Sequence, residues 1–254
     1  MSDKQKRDVT ILLTTLVMSA VLMFFLAVTA PSDAEITVLD HAQQEGISLQ
    51  EYPESLIELL DRNPETKDFV LNYPFRQEME TDLSGYDLTQ GVPLLMQWDP
   101  RWGYMEYGSD MVGITGCGPV CLAMAGFYLT GDEKFYPDAV VEFALRNDYD
   151  SPGNGSKWTL ISQGGKELVL RVKELPPEEK KIAAYLNSGA PIIAVMGPGD
   201  FTTTGHFIVL TGYADGKLSV NDPNSYVNSE KLWEFAAIKD QFRNLWVLQK
   251  GTER

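Results

Sequence analysis

An uncharged apolar segment near the start of the chain constrains its structure and location more than any other feature. Residues 9–30 contain no charged side chain, and Lys4, Lys6 and Arg7 precede them. As a helix rising about 1.5 Å per residue, this segment would be about 33 Å long, which is enough to cross the hydrocarbon core of a bilayer. Because basic flanks stay in the cytoplasm, we expect the rest of the chain outside the cell.

We therefore predict a cytoplasmic tail at 1–8 and a transmembrane anchor at 9–30. A cleaved signal peptide is the alternative, because small residues occupy 28–30. Against cleavage, the apolar run exceeds the usual core of about 7–15 residues, and Pro31 is a poor residue after a scissile bond. Both interpretations export the remaining chain, either as a single-pass membrane protein or as a secreted one.

The exported part divides at a polar, turn-rich stretch around residues 85–91. We predict a stalk and helical prelude at 31–90, followed by one main domain at 91–254. Within the prelude, 53–60 and a second segment starting at Asn63 carry the proline and acidic residues typical of helix starts. Their apolar residues need a partner surface, so we expect both short helices to pack on the main domain.

The main domain is predicted to be α+β, with a buried helix against a mainly antiparallel sheet. The helix at 119–129 is apolar on every side and must be buried on every side. The other predicted elements are an extended segment at 92–97, helices at 137–145, 178–187 and 229–237, and strands at 192–196, 206–213, 218–222 and 245–248. Asp215-Gly216 is expected to join the second and third strands as a hairpin turn.

Charge excludes one class of partner. The formal net charge is −15, and no stripe of basic and aromatic residues offsets it. Such a surface repels phosphate backbones, so we predict no nucleic-acid partner. The sequence also contains no phosphate-binding glycine loop and no dinucleotide fingerprint, which leaves nucleotide chemistry without support.

The chain has two cysteines, Cys117 and Cys121, four residues apart. In one helix their Cβ atoms would stack along the axis, so we predict no disulfide between them. Gly116 and Gly118 flank Cys117, and Pro119 suits the first turn of a helix. This arrangement places the thiol at the positive end of a helix dipole and lets backbone N–H groups approach a substrate carbonyl. A small buried apolar side chain is the alternative role for Cys117.

Histidine favours the catalytic interpretation. His41 lies in the predicted stalk, which leaves His206, at the start of a strand, for the main domain. The turn at 215–216 brings Asp222 back towards His206, where a carboxylate could orient the imidazole and stabilise its charged form. Asn221 is the alternative orienting residue. A core histidine and an ordinary turn aspartate are the non-catalytic alternatives.

A zinc site is a rival interpretation of the same residues. Cys117, Cys121, His206 and Asp222 could supply four ligands. Only the two sulfurs are close in sequence, however, and their spacing at a helix start is unusual for a zinc clip. We therefore predict that no metal and no organic cofactor is required.

Four motifs in this order resemble papain-like peptidases of the double-glycine leader, bacteriocin-processing type. They are QWDPRWG at 97–103, GCGP at 116–119, GHF at 205–207 and NDP at 221–223. The chain is most similar to the stand-alone bacterial branch of that family, which lacks a transporter. The resemblance extends over about residues 91–250, and the motifs are specific as a set although none is specific alone.

The resemblance implies a papain-like fold with four site residues. Cys117 would be the nucleophile, His206 the base, Asp222 the orienting residue and Gln97 the donor to the oxyanion. The chain departs from the family at Cys121, where a small hydroxyl residue is common.

We therefore expect a membrane-tethered, extracellular cysteine peptidase that cleaves peptide bonds through a thioester on Cys117. Its partners would be a peptide or protein substrate, with cell-wall peptide as a further candidate, and the membrane through the N-terminal helix. Two alternatives remain: a cell-wall amidase or transpeptidase that uses the same Cys-His-Asp groups, and a surface-binding module without catalysis.

Overall fold

The computed structural model describes residues 5, 14–18, 30–151, 153 and 155–251. The chain forms two compact units, Met1–Glu51 and Tyr52–Arg254. Most of the predicted anchor at 9–30 lies outside the described residues, so that prediction stays open. Within the described ranges, no helix combines the length and apolar character needed to cross a bilayer.

In the first unit, helix α1 (Asp33–Glu45) has well-defined ends. Ser32 caps its start: the Ser32 hydroxyl accepts from the Glu35 N–H while the Glu35 carboxylate accepts from the Ser32 N–H. Gly46, at φ 69°, ends the helix in the left-handed conformation that glycine adopts easily. This helix forms part of the segment predicted as a stalk.

The second unit begins with the prelude helices α2 (Glu54–Arg62) and α3 (Lys67–Leu71), which a 3₁₀ turn at Pro64–Thr66 connects. Phe69 of α3 is buried and stacks on Tyr104 with ring centroids 4.3 Å apart. A Cβ on Gly113 would come within 2.6 Å of the Phe69 ring, so the backbone there approaches the ring closely. The prediction that both helices pack on the main domain is confirmed.

Helix α5 (Cys117–Thr130) follows the short helix α4 (Val112–Thr115) and crosses the core. Its residues from Gly118 to Phe127 are buried on every side, as predicted. The helix begins at Cys117, two residues before the predicted start at Pro119. Proline has no N–H to leave unpaired, so it fits anywhere in the first turn, where these groups have no intrahelical acceptor.

A six-stranded antiparallel sheet forms the second half of the unit, with strand order β5-β10-β6-β7-β8-β9. Its strands are β5 (Leu170–Glu174), β6 (Ile192–Met196), β7 (His206–Ala214), β8 (Lys217–Asn221), β9 (Trp233–Glu234) and β10 (Phe242–Lys250). Two small hairpins precede it: β1 (Glu106–Tyr107) with β2 (Asp110–Met111), and β3 (Asp150–Ser151) with β4 (Gly155–Ser156). The predicted α+β class with an antiparallel sheet is confirmed.

The sheet separates two apolar layers. Ile193 and Val195 of β6 join the cluster built around α5, whereas Ile192, Ala194 and Met196 join the cluster on the opposite face. All five residues of β6 are buried, which explains why this strand is a continuous apolar run. Three more helices lie between α5 and β6 along the chain: α6 (Pro137–Arg146), α7 (Gly165–Glu167) and α8 (Glu179–Leu186).

One of the predicted elements is wrong. The helix predicted at 229–237 is two short helices, α9 (Tyr226–Glu230) and α10 (Phe235–Ile238), separated by β9. The chain extends there because Trp233 and Glu234 pair with β8. The strand predicted at 245–248 is confirmed as part of the longer β10, which lies inside the sheet between β5 and β6.

Candidate active site

Cys117 occupies the first position of helix α5. The Gly116 N–H donates to the Val112 carbonyl, and a Cβ on Gly116 would lie 2.5 Å from the Val112 side chain, so only glycine fits there. The N–H groups of the first helical turn have no intrahelical acceptor and mark a positive end of the helix dipole. Cys117 is partly exposed, whereas Cys121, one turn further, is fully buried.

The two thiols are free, as predicted from their spacing. Burial raises the pKa of the Cys121 thiol well above its ordinary value, and the nearby Cys117 and Asp222 raise it further. Cys121 is therefore an uncharged member of the apolar core rather than a second reactive group. Among the described residues, no group of three or more acidic, histidine or cysteine side chains is placed to hold a metal ion.

The hairpin of β3 and β4 borders the cysteine helix, which the sequence reasoning did not anticipate. A Cβ on Gly118 would lie 2.4 Å from the Ser156 hydroxyl oxygen, so Ser156 packs directly on the residue after the cysteine. Ser156 is buried, and its hydroxyl is 2.7 Å from that of Tyr107. Gly155 adopts φ 73° where it passes the Thr115 carbonyl. The glycine at 155 is the sequence feature that could have indicated this turn.

His206 and Asp222 meet at neighbouring strand ends. The turn at 215–216 joins β7 to β8 with positive φ at both residues, as the predicted hairpin requires. It returns Asp222 to the start of β7, where His206 Nε2 lies 2.7 Å from Asp222 Oδ1. This bond leaves Nδ1 as the ring nitrogen available for proton exchange, and Cys117 lies close enough to interact electrostatically with the imidazole.

Asp222 is almost completely buried, and both of its carboxylate oxygens accept additional hydrogen bonds. The Asn224 N–H donates to Oδ1 at 2.9 Å, and Asn228 Nδ2 donates to Oδ2 at 2.8 Å. The Asp222 N–H donates in turn to the Ser229 hydroxyl at 2.9 Å. Asn224 and Asn228 therefore hold the carboxylate, and Ser229 holds the Asp222 backbone. Sequence reasoning missed all three residues: Asn224 lies in a polar loop, and Asn228 and Ser229 lie in the short helix α9, and no motif marks them.

The buried pair is held in its charged form. Burial alone lowers the pKa of His206, but the charge and hydrogen bond of Asp222, with a smaller contribution from Cys117, raise it to about 10. Burial by itself raises the pKa of Asp222, and the His206 charge and the donors around the carboxylate outweigh it and hold the pKa below its usual range. An imidazolium stabilises a neighbouring thiolate by its charge and can give its proton to a leaving group.

Asn221, the alternative orienting residue, does not contact the imidazole. Its Nδ2 donates to the Val92 and Pro93 carbonyl oxygens at 3.0 and 3.1 Å. Asn221 therefore binds the extended segment at 92–97 to the sheet. The structure brings Asp222, and not Asn221, to His206.

Gln97 is buried, and its carboxamide contacts backbone carbonyl groups. Nε2 donates to the Gly113 carbonyl at 2.9 Å and is 3.3 Å from the Ile114 carbonyl. Oε1 is buried without a hydrogen-bond partner among the described residues. The Gln97 side chain is thus bound to the segment that leads into α5, and its role as oxyanion donor stays a prediction.

A cavity of about 410 Å³ opens where the end of β5 meets the start of β10. Residues 174–177 and 242–245 line it, and the four predicted site residues lie outside this lining. The cavity and the Cys117–His206–Asp222 group are therefore separate features.

A thiol at a helix start, next to a histidine–aspartate pair at a sheet end, is the arrangement of a papain-like cysteine peptidase. Residues 89–253 match the model of the Peptidase_C39 like family, and the chain belongs to that family. This match confirms the resemblance noted from the four motifs. A comparison with curated proteins gave no match.

Two solved structures resemble the chain at low identity. One is the peptidase domain of Streptococcus ComA, a bi-functional ABC transporter involved in a quorum-sensing pathway. It is 17% identical to this chain, with a TM-score of 0.43, and the match covers 54% of this chain and 92% of that one. The other is a C39-like peptidase from Bacillus anthracis, 15% identical, with a TM-score of 0.43 and coverage of 64% of this chain and 96% of that one.

Proposed function

We propose that this protein is a cysteine peptidase that hydrolyses peptide bonds through a thioester on Cys117. The observation that carries the proposal is the 2.7 Å contact between His206 Nε2 and Asp222 Oδ1, in a pair that also interacts electrostatically with Cys117. A buried, oriented imidazolium beside a thiol at a helix start is suited to nucleophilic catalysis.

In the first half of the reaction, His206 Nδ1 holds the proton of the Cys117 thiol while the sulfur attacks the carbonyl carbon. The tetrahedral intermediate collapses to a thioester, and the leaving amine takes the proton from Nδ1. In the second half, water attacks the thioester and gives one proton to Nδ1. Release of the carboxylic acid then returns that proton to the thiolate, or leaves the ion pair ready for another cycle.

The developing oxyanion needs donors, and two sources are proposed. The N–H groups of the first turn of α5 point out of the helix start and need no rearrangement. Gln97 Nε2 would first have to release the Gly113 or Ile114 carbonyl that it now contacts. The backbone donors are therefore the primary proposal and Gln97 the second.

The deciding experiment incubates the full-length protein with a mixed peptide library and, separately, with purified cell wall. Peptide cleavage that Cys117→Ala abolishes supports the peptidase. Release of cell-wall fragments without peptide cleavage would replace it with the amidase or transpeptidase. Binding without turnover of either substrate would replace it with a non-catalytic surface module.

We further propose that residues 9–30 anchor the protein in the membrane and that the peptidase unit lies outside the cell. The uncharged run and its basic flank support this orientation. The full-length protein should remain with membranes after a high-salt wash, and protease added to intact cells should remove the peptidase unit. A mature chain that begins near Pro31 in the medium would contradict the anchor and indicate secretion.

A further inference from the structure

Two residues that lie before the segment matched by the family model hydrogen-bond the loop that follows Asp222. That match begins at residue 89, whereas Asn63 and Glu65 lie in the turn between the prelude helices. Both side chains are half-buried and reach across about 160 positions of sequence to residues 224–226. The contacts therefore join a segment outside the family domain to the loop behind the catalytic pair.

Asn63 holds the first part of this loop. Its Nδ2 donates to the Asn224 carbonyl at 2.6 Å and lies 3.4 Å from Asn224 Oδ1. Its Oδ1 accepts from the Glu65 N–H at 3.1 Å, which fixes the side chain against its own turn. Trp98 Nε1 also donates to the Asn224 carbonyl, at 3.3 Å. Asn224 is thus held on one side while its N–H donates to Asp222 Oδ1.

Glu65 holds the second part of the loop with both carboxylate oxygens. Oε1 accepts from the Ser225 hydroxyl at 2.6 Å, and Oε2 accepts from the Tyr226 N–H at 2.8 Å. Hydrogen bonds to a carboxylate are among the stronger ones in proteins. The carboxylate therefore fixes two successive residues at the start of α9.

The two contacts reach both oxygens of the Asp222 carboxylate. The Ser225 hydroxyl oxygen accepts from the Asn228 N–H at 3.1 Å, and Asn228 Nδ2 donates to Asp222 Oδ2 at 2.8 Å. Oδ1 receives the Asn224 N–H. Asn63 therefore supports Oδ1 of Asp222 through Asn224. Glu65 supports Oδ2 through Ser225 and Asn228.

We propose that Asn63 and Glu65 are positioning residues that hold Asp222 in register with His206, so that the prelude is a working part of the catalytic unit. Neither residue touches Cys117 or His206, and both act through the segment at 222–229, which comprises the loop after β8 and the start of α9. The proposal rests on the proposed peptidase function. A displacement of about 1 Å at a reacting group can cost about 100-fold in rate, so these remote contacts are expected to matter kinetically.

The test compares Asn63→Ala, Glu65→Ala and Glu65→Gln with a matched control in the full-length protein. Glu58→Gln is the control, because Glu58 lies on the same prelude segment, is exposed, and pairs only loosely with Arg62 at 3.8 Å. Asn63→Ala and Glu65→Ala should each lower kcat about 10- to 100-fold with a small change in KM. Glu65→Gln should be intermediate, since its amide oxygen can still accept one of the two bonds. Glu58→Gln should stay within about 2-fold of wild type, as surface changes usually do.

A second readout does not depend on turnover. The groups that act on His206 are Asp222 and Cys117, and a loosened Asp222 stabilises the imidazolium less. The NMR titration of the His206 ring should therefore move to lower pH in Asn63→Ala and Glu65→Ala and stay in place in Glu58→Gln. Since the chain has two histidines, a His41→Gln background assigns the signal.

Two outcomes separate the proposals. If wild type cleaves peptides and folded Asn63→Ala and Glu65→Ala variants match it in kcat and in the His206 titration, the positioning role is wrong. If wild type cleaves no peptide, the proposed function is wrong, while the His206 titration still decides whether the prelude holds Asp222. Should an alanine variant fail to fold, an unshifted titration in Glu65→Gln together with unchanged kcat would overturn the role of Glu65.

Discussion

The Gln97 N–H donates to the Pro223 carbonyl at 2.7 Å, so the segment before the cysteine helix is bonded directly to the residue after Asp222. The Gln97 side chain contacts the Gly113 and Ile114 carbonyls at the same time. One residue therefore connects the approach to Cys117 with the loop that carries the aspartate. The relative placement of nucleophile and base depends on this connection as well as on the sheet.

Substitutions of Asp222 and Asn221 should have different effects, the first on catalysis and the second on stability. Asp222→Asn should lower kcat by about 100-fold or more, because an amide cannot stabilise the imidazolium as a carboxylate does. Asn221→Ala should mainly lower Tm, because it removes the contacts to Val92 and Pro93. Steady-state kinetics and thermal unfolding of both variants check this. A larger loss of kcat in Asn221→Ala would transfer the orienting role to Asn221.

The two thiols provide an internal comparison of reactivity. Iodoacetamide near pH 6 should alkylate Cys117 and spare Cys121, because Cys121 is fully buried and its raised pKa keeps it protonated. His206→Ala should slow the reaction of Cys117 by removing its cationic partner. Mass spectrometry of the labelled peptides, with Cys121→Ala as control, measures both. Equal labelling of the two thiols in the folded protein would remove Cys117 as nucleophile.

Stability should depend on pH through the buried pair. The pKa of His206 is raised from 6.5 to about 10 in the folded protein, so its contribution is complete below about 6.5 and is lost as pH rises towards 10. The pKa of Asp222 is lowered from 3.8, so its contribution is present above that value and is lost on acidification. Urea unfolding should therefore show a fall in the free energy of unfolding between about pH 6.5 and 10. The fall should be smaller in Asp222→Asn, and an equal fall would show that other groups cause it.

Gln97 should affect both rate and stability. Gln97→Ala should lower kcat about 10- to 1000-fold with a smaller change in KM, if an oxyanion donor is lost. It should also cost about 1–3 kcal/mol, because the Gly113 carbonyl loses its buried donor. Gln97→Glu should be less stable than Gln97→Ala, since it places a carboxylate against carbonyl oxygens. A destabilised Gln97→Ala with wild-type kcat would make Gln97 a packing residue only.

The elements predicted well are those with a local pattern. The apolar run of β6, the turn at 215–216 and the all-round apolar α5 each follow from neighbouring residues. The interior place of β10 and the short β9 depend on which strands pair across the sheet, and a single sequence does not encode pairing in its periodicity. The helix predicted at 229–237 failed for that reason, because pairing with β8 overrode helix propensity.

The residues of the candidate site also differ in whether a local sequence pattern marks them. Motifs of small and reactive residues identified Cys117, His206 and Asp222, since glycine around a cysteine and a turn before an aspartate are local signals. Asn228 and Glu65 hold Asp222 or its loop through ordinary polar side chains, and nothing in their own neighbourhood marks them. The direction of the Gln97 carboxamide likewise depends on a contact 16 residues away.

The inner position of β10 has a consequence for how this unit is made. β5 borders the rest of the sheet only through β10, so it has no strand partner until residues 242–250 have been synthesised. Until then, one edge of the wholly apolar β6 is also open, and open apolar edges recruit other chains. A nascent chain stopped before β10 would therefore lose two strand interfaces at once, and a chaperone that shields β6 during synthesis would have a defined segment to hold.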